Sequence, residues 1–171
     1  MKTSKTSVFI ATLCGLALAA SAHADVSKKD QEFISKAAAG GLYEVEAGKL
    51  AQAQGKTDRV KSFGAMLEKD HGAANEELKA LASSKGALLP SGMPSDKQKR
   101  LEKIAKAKDF DREFIDEVGV DDHKKDIALF EKASKGADDA EIKAFAAKTL
   151  PTLKAHKDHA DSLKKAQRSG N

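Results

Sequence analysis

Cysteine is almost missing from this chain: Cys14 is its one thiol, and it lies in an apolar run near the N-terminus. Beyond that point no disulfide, thiolate nucleophile, iron–sulfur cluster or cysteine zinc site can be built. Tryptophan is absent, and the aromatics past the first 24 residues are Tyr43 and phenylalanines at helical spacing. No stacking platform for nucleic acid is left. Lysines and acids alternate throughout, and the one basic cluster, KQKRLEKIAKAK, is short, so nucleic acid is not an expected partner. Prolines number three, and no stretch alternates in the manner of a strand. Glycine-rich phosphate loops, nucleotide fingerprints and nucleophile elbows are missing too, so no catalytic residue is assigned.

The N-terminus has a definite plan. Lys2 and Lys5 precede the apolar run Val8 to Ala20, and Ala22-His23-Ala24 follows as a small-x-small site. A bilayer span needs about 20 apolar residues, more than this run supplies. The reading is a secretory signal over 1–24, cut after Ala24, giving a periplasmic or secreted mature chain with no integral membrane span. Leu13 before Cys14 lacks the small residue of a lipoprotein site. Losing Lys2 and Lys5 would leave 28 basic residues against 26 acidic ones, a net charge of +2.

What remains is rich in alanine, lysine, glutamate and leucine, which favours helix. Punctuation by Ser27, Gly55, Thr57, Gly86, Asp109, Gly136 and either Asp138 or Asp139 predicts helices at about 28–54, 57–85, 110–135 and 139–167. Apolar stripes at three- and four-residue spacing, such as Val60, Phe63, Leu67, Leu78 and Leu81, give each helix one core face. The expected architecture is all-α, a four-helix bundle over 25–171. The connections at 55–57 and 136–139 make antiparallel hairpins, while residues 86–108, with a short helix from Ser95, suffice for a long crossover. Up-down-up-down order is the alternative. Pro151 should kink the last helix, either to wrap the bundle or to free the carbonyl of Ala147 for a polar pocket.

Four histidines follow the signal. His71 is the midpoint of the second helix, His123 lies within a residue of the third's, and His156 is three past the fourth's. In antiparallel hairpins midpoints meet, so these three share one level. His71 and His156 continue apolar stripes; His123 is offset from the face of Phe114 and Val118; His159 sits at a stripe edge. Glu44 lies in a row of small residues, Ala37, Gly40, Gly48 and Ala51, with room for a buried carboxylate. Glu68 precedes His71 by three, at the stripe's margin. Buried carboxylates and unpaired imidazoles are costly. A single zinc, iron or copper ion held by Glu44, Glu68, His71, His123 and His156 would repay them. A metal-free hydrogen-bonded network of His71, Asp70, His156 and Glu44 would do the same, and would suit an interaction protein of the envelope; the third reading leaves the histidines mostly solvated.

The segments AAAGGLYEVEAGKLA, VKSFGAMLEKDHGAANEELKALASSKGALLP, FDREFIDEVGVDDHKKDIALFEKA and AAKTLPTLKAHKDHA resemble a bacterial family of secreted ferritin-like proteins. That family is catalogued as domain of unknown function 4142, and its members carry outer-membrane labels. The resemblance spans about 28–167 and implies a ferritin-like bundle outside the cytoplasm. Di-iron ferritins place a Glu on two helices and Glu-x-x-His on the other two. Glu44, Glu68 and His71 fit that pattern, but His123 stands where a carboxylate belongs and Leu153 precedes His156 by three. The departures argue against a two-iron centre.

Overall fold

A computed structural model describes residues 26–170; the signal segment expected over 1–24 lies outside them. The described residues contain helices and no strands. They are α1 (Lys28–Gln54), α2 (Asp58–Lys85), α3 (Ser95–Ala105), α4 (Phe110–Phe114), a π-helical segment (Ile115–Asp122), α5 (His123–Gly136) and α6 (Ala140–Ser169). Helical dihedrals continue through both ends of the π segment, so α4, the segment and α5 form one rod.

Helix starts are fixed locally and then tied across the molecule. Ser27 Oγ accepts from Asp30 N and Thr57 Oγ1 from Val60 N, each satisfying a free amide of a first turn. Gly86 closes α2 at φ 66°, a left-handed conformation that glycine adopts without Cβ strain. Two buried aspartates then act at a distance. Asp30 accepts from the backbone of Asp138 and Asp139 at the start of α6. Asp111 accepts from Lys56 N, Thr57 N and Thr57 Oγ1 at the start of α2.

These two aspartates open nearly the same words, Asp30-Gln-Glu-Phe-Ile34 and Asp111-Arg-Glu-Phe-Ile115, and later Val60-Lys-Ser-Phe63 answers Ile142-Lys-Ala-Phe145. The first pair is offset by 81 residues and the second by 82. The chain is thus a helical hairpin used twice, with one extra residue in the second copy. The π segment is where that copy departs from α geometry, and its i→i+5 turns can absorb one residue without breaking the helix.

Side-chain pairs give the directions. Gly41 meets Asn75 and Gly48 meets Gly64, so α1 and α2 are antiparallel. Phe33 meets Phe130 and Gly40 meets Asp126, so α1 also opposes α5. His123 meets His156 and Phe130 meets Phe145, while Phe63 meets His159 and His71 meets His156, so α6 opposes both α5 and α2. It follows that α2 and the α4–α5 rod run the same way, and residues 86–109 climb the full length of the molecule. Gln31 holds the start of that climb through both backbone groups of Leu88, although the Leu88 side chain is 76% exposed. Ile104 anchors α3 in the core.

The core has two apolar halves. One gathers Tyr43, Phe63, Leu67, Phe114 and Val118, the other Phe33, Leu78, Phe130, Phe145 and Leu153. Between them on every rod falls a buried polar layer. Helix α6 runs unbroken through Pro151. Pro151 and Ala147 are both exposed, which places them on the solvent side of α6 and favours the wrapping role over a buried polar pocket.

Candidate metal centre

Each rod sends one polar side chain into this layer: Glu44 from α1, His71 from α2, His123 from the first position of α5 and His156 from α6. All four are buried, with His123 fully enclosed. The imidazole centroids form a nearly equilateral triangle, 5.5 Å from His71 to His123, 5.2 Å from His71 to His156 and 5.3 Å from His123 to His156. One ring nitrogen from each histidine lies within 4.8 Å of the other two.

His123 reaches the triangle because of the π segment. On an α-helix, at about 100° per residue, nine residues separate Phe114 from His123 by about half a turn, putting them on opposite faces. Both are fully buried. Wider turns bring residues five apart onto one face, and His123 Nδ1 lies 2.9 Å from the carbonyl oxygen of Val118, five residues back. The offset evident in the sequence is removed by this local change of pitch.

Every imidazole has one nitrogen turned outward to an oxygen. His71 Nδ1 is 3.0 Å from Glu44 Oε2. His156 Nε2 is 3.0 Å from Asp70 Oδ2. His123 Nδ1 faces Val118 and lies 3.4 Å from Glu44 Oε1. A neutral imidazole carries one N–H. Once the three outward nitrogens donate to their oxygens, His71 Nε2, His123 Nε2 and His156 Nδ1 are left with lone pairs only. Two of these, on His123 and His156, stand 3.2 Å apart, and His71 Nε2 is buried without a partner. Facing lone pairs at that distance repel; a cation between them, or a proton on one of the two nitrogens, relieves the repulsion.

Electrostatics keep the rings neutral. Burial, with His123 and His156 adding to it, holds His71 well below the ordinary histidine range. Burial pushes His123 down to about 4, against the bond to Val118 that favours its charged form. His156 is lowered by burial although Asp70 works in the other direction. Neutral imidazole is the form that binds metal. Behind the rings, burial raises Glu44 well above the usual carboxylate range, with Asp126 and Asp122 adding to it. Burial also brings Asp126 up to about 6.

The structure brings Glu44, His71, His123 and His156 together, with Asp70 at the edge. Glu68 goes elsewhere: its Oε2 accepts from Gln52 Nε2 at 2.6 Å on the α1–α2 seam. His159 is half-buried beside Phe63, at 5.1 Å between ring centroids. Sequence reasoning did not single out Asp126, which contacts Glu44. Its signal is the repeat, because the offset of 82 pairs Glu44 with Asp126.

Residues 15–163 match the family model described as Domain of unknown function (DUF4142), and the chain belongs to that family. No curated protein matches it. Among solved structures it is similar to a DUF305 fragment from Deinococcus radiodurans, at TM-score 0.72 and 8% identity, covering 84% of this chain and 99% of that one. It is also similar to CopM in its Cu(II)-bound form, at TM-score 0.70 and 17% identity, covering 81% of this chain and 97% of that one. At such identities the likeness is one of fold.

Proposed function

We propose that this DUF4142 protein is an exported metal-binding bundle. In this reading it holds one divalent ion, copper(II) or zinc, through His71 Nε2, His123 Nε2 and His156 Nδ1, and serves to sequester that ion in the cell envelope. The observation that carries the reading is the buried grouping of three ring nitrogens, one from each histidine, within 4.8 Å of one another. Glu44, Asp70 and the Val118 carbonyl then act as outer partners that fix each ring's tautomer and orientation, the usual support of metal-bound histidine.

The donor set narrows the metal. Imidazole suits zinc, copper and other borderline ions, and no thiolate or thioether stands among the donors to select copper(I). A two-iron centre would want bridging carboxylates, and Glu44 is committed outward. The Cu(II)-bound form of CopM makes copper(II) a sensible first probe. The order of the rods supports a ferritin-like four-helix bundle with one long crossover. The leader over 1–24 supports export.

The test is elemental analysis of residues 25–171, prepared without chelator or histidine tag, after loading with copper(II) or zinc, beside His71→Ala. About one ion per chain, lost in the variant, is expected. No ion in either protein would favour a second reading, in which Glu44 keeps a proton, donates it to His71 Nδ1, and closes a metal-free network inside an interaction protein. The observation on that side is the 3.0 Å contact of the buried Glu44 carboxyl with His71 Nδ1, where burial favours the protonated acid.

A further inference from the structure

We infer that Arg100, on the crossover helix α3, is a positioning residue for the metal centre: it clamps the π segment that turns His123 into the histidine triangle. The inference rests on the metal-centre reading. None of Arg100's hydrogen bonds or ion pairs goes to a histidine. Its guanidinium instead grips the π segment at three points, through Nη1 to Asp122 Oδ1 and through Nη2 to the Glu117 carboxylate and the Glu117 carbonyl oxygen. Asp122 is the last residue of that segment and His123 follows it directly.

The arrangement has the marks of a clamp. A π turn is rare and normally lasts a single turn inside an α-helix, so a π stretch of eight residues needs support from outside itself. The Glu117 carbonyl belongs to the segment's own backbone, and Arg100 supplies it with an external donor. The guanidinium lies 5.9 Å from the centre of the Tyr43 ring and the Lys97 ammonium 4.7 Å from it, while Ile104 one turn on is buried. Arg100 is therefore held from below by an aromatic face and from behind by the core. Arginine's planar fork can address two carboxylates and a carbonyl together, which a lysine cannot. The crossover thus reaches the metal centre indirectly, because α3 passes over the rod where its pitch changes.

Without the clamp, the segment can return to α geometry. One residue of register then rotates His123 by about 100°, away from His71 and His156, and leaves a two-histidine site. Copper(II) electron paramagnetic resonance counts coordinated nitrogens and reads this directly. In Arg100→Met the copper(II) affinity is expected to fall at least tenfold, and the spectrum to become that of His123→Ala. The double variant Arg100→Met/His123→Ala should bind no more weakly than His123→Ala alone, because both changes remove the same ligand. Arg100→Lys should recover part of the loss. Because Arg100→Met would leave the buried Asp122 carboxylate with only the exposed Lys125 ammonium, at 3.3 Å, as an ion-pair partner, Arg100→Met/Asp122→Asn is measured alongside and should show the same two-nitrogen spectrum. A three-nitrogen spectrum in both Arg100 variants, or losses that multiply in the double variant, would overturn the clamp.

If the wild type binds neither copper(II) nor zinc, the metal reading fails and the clamp is judged in the metal-free protein. There the imidazole resonances of His123 should move in Arg100→Met by more than those of His71, whose ring shifts only through the changed ring current of its neighbour at 5.5 Å. Unmoved His123 signals would overturn the inference by themselves.

Discussion

His123 Nε2 and His156 Nδ1 face each other at 3.2 Å, while their other nitrogens are turned to the Val118 carbonyl and the Asp70 carboxylate. Three contacts need three protons and two neutral rings carry two. A metal ion supplies the missing positive centre and engages His71 Nε2 as well. The first expectation is thermal. At an ion concentration 100-fold above Kd, binding to the folded state alone stabilises by about 2.7 kcal/mol. For a chain of this size that raises Tm by about 5–10 °C. Scanning calorimetry with copper(II), then with excess chelator, should show the rise and its reversal. His123→Ala should show little of either.

The metal-free protein should respond to pH in a way that two groups set against each other. His123 is depressed to about 4 from an ordinary value of 6.5. Its stability contribution is present above about 6.5 and is lost as pH falls towards 4, by about 3 kcal/mol in all. Asp126 is raised from 3.8 to about 6, so its contribution is present below about 3.8 and is lost as pH rises through 6. Between pH 4 and 6 the slopes oppose. His71 and His156 lean with His123, and Glu44 leans with Asp126. Urea midpoints in chelator should therefore change little with pH in the wild type. Asp126→Asn should expose the histidine slope and lose stability steadily on acidification; a flat profile there would refute the assignment.

The α1–α2 seam is closed by two glycines. A Cβ on Gly48 would stand 2.6 Å from the Gly64 carbonyl oxygen and 2.8 Å from Glu68 N, both backbone atoms that cannot swing aside. Gly48→Ala should push the helices apart and cost about 2 kcal/mol or more, in the range of overpacked cores, despite alanine's better helix propensity. Gly48 is one turn from Glu44, so the 3.0 Å contact of Glu44 with His71 lengthens too. Urea denaturation should show the loss in the metal-free form, and copper(II) affinity should fall with it.

Much of this is legible in the sequence because helices report their own midpoints. His71 and His156 sit on apolar stripes whose period of three and four is preserved in the fold, and short hairpin loops bring midpoints level. His123 is harder to read, since its face is set by a change of pitch that no propensity scale encodes. The trace of that change is arithmetic: 27 residues from Asp30 to the cap Thr57 in the first hairpin, but 28 from Asp111 to the cap Asp139 in the second. Arg100 leaves no trace, because its role depends on where the crossover passes, and crossover paths are set by tertiary packing. Asp126 lies three residues past His123, on a face that the pitch change also re-aims.

Glu68 and Asp70 make the sharpest contrast, because they are two residues apart and the sequence motif favours the first. Glu68, three before His71, has the spacing of a ligand pair, yet its carboxylate is bonded to Gln52. Asp70, which no motif marks, lies 3.0 Å from His156 Nε2 and is about a third exposed. Orienting partners of metal-bound histidines are worth about 10–100-fold in affinity. Asp70→Asn should cost that much, because an amide oxygen accepts from His156 more weakly than a carboxylate does. Glu68→Gln should leave affinity within about twofold, since glutamine can keep a hydrogen bond to Gln52 and nothing at the histidines changes. Isothermal titration with copper(II) separates the two. If Glu68→Gln proved the more damaging, Glu68 would have to swing inward on metal binding, and the three-histidine centre would give way to one that includes a carboxylate.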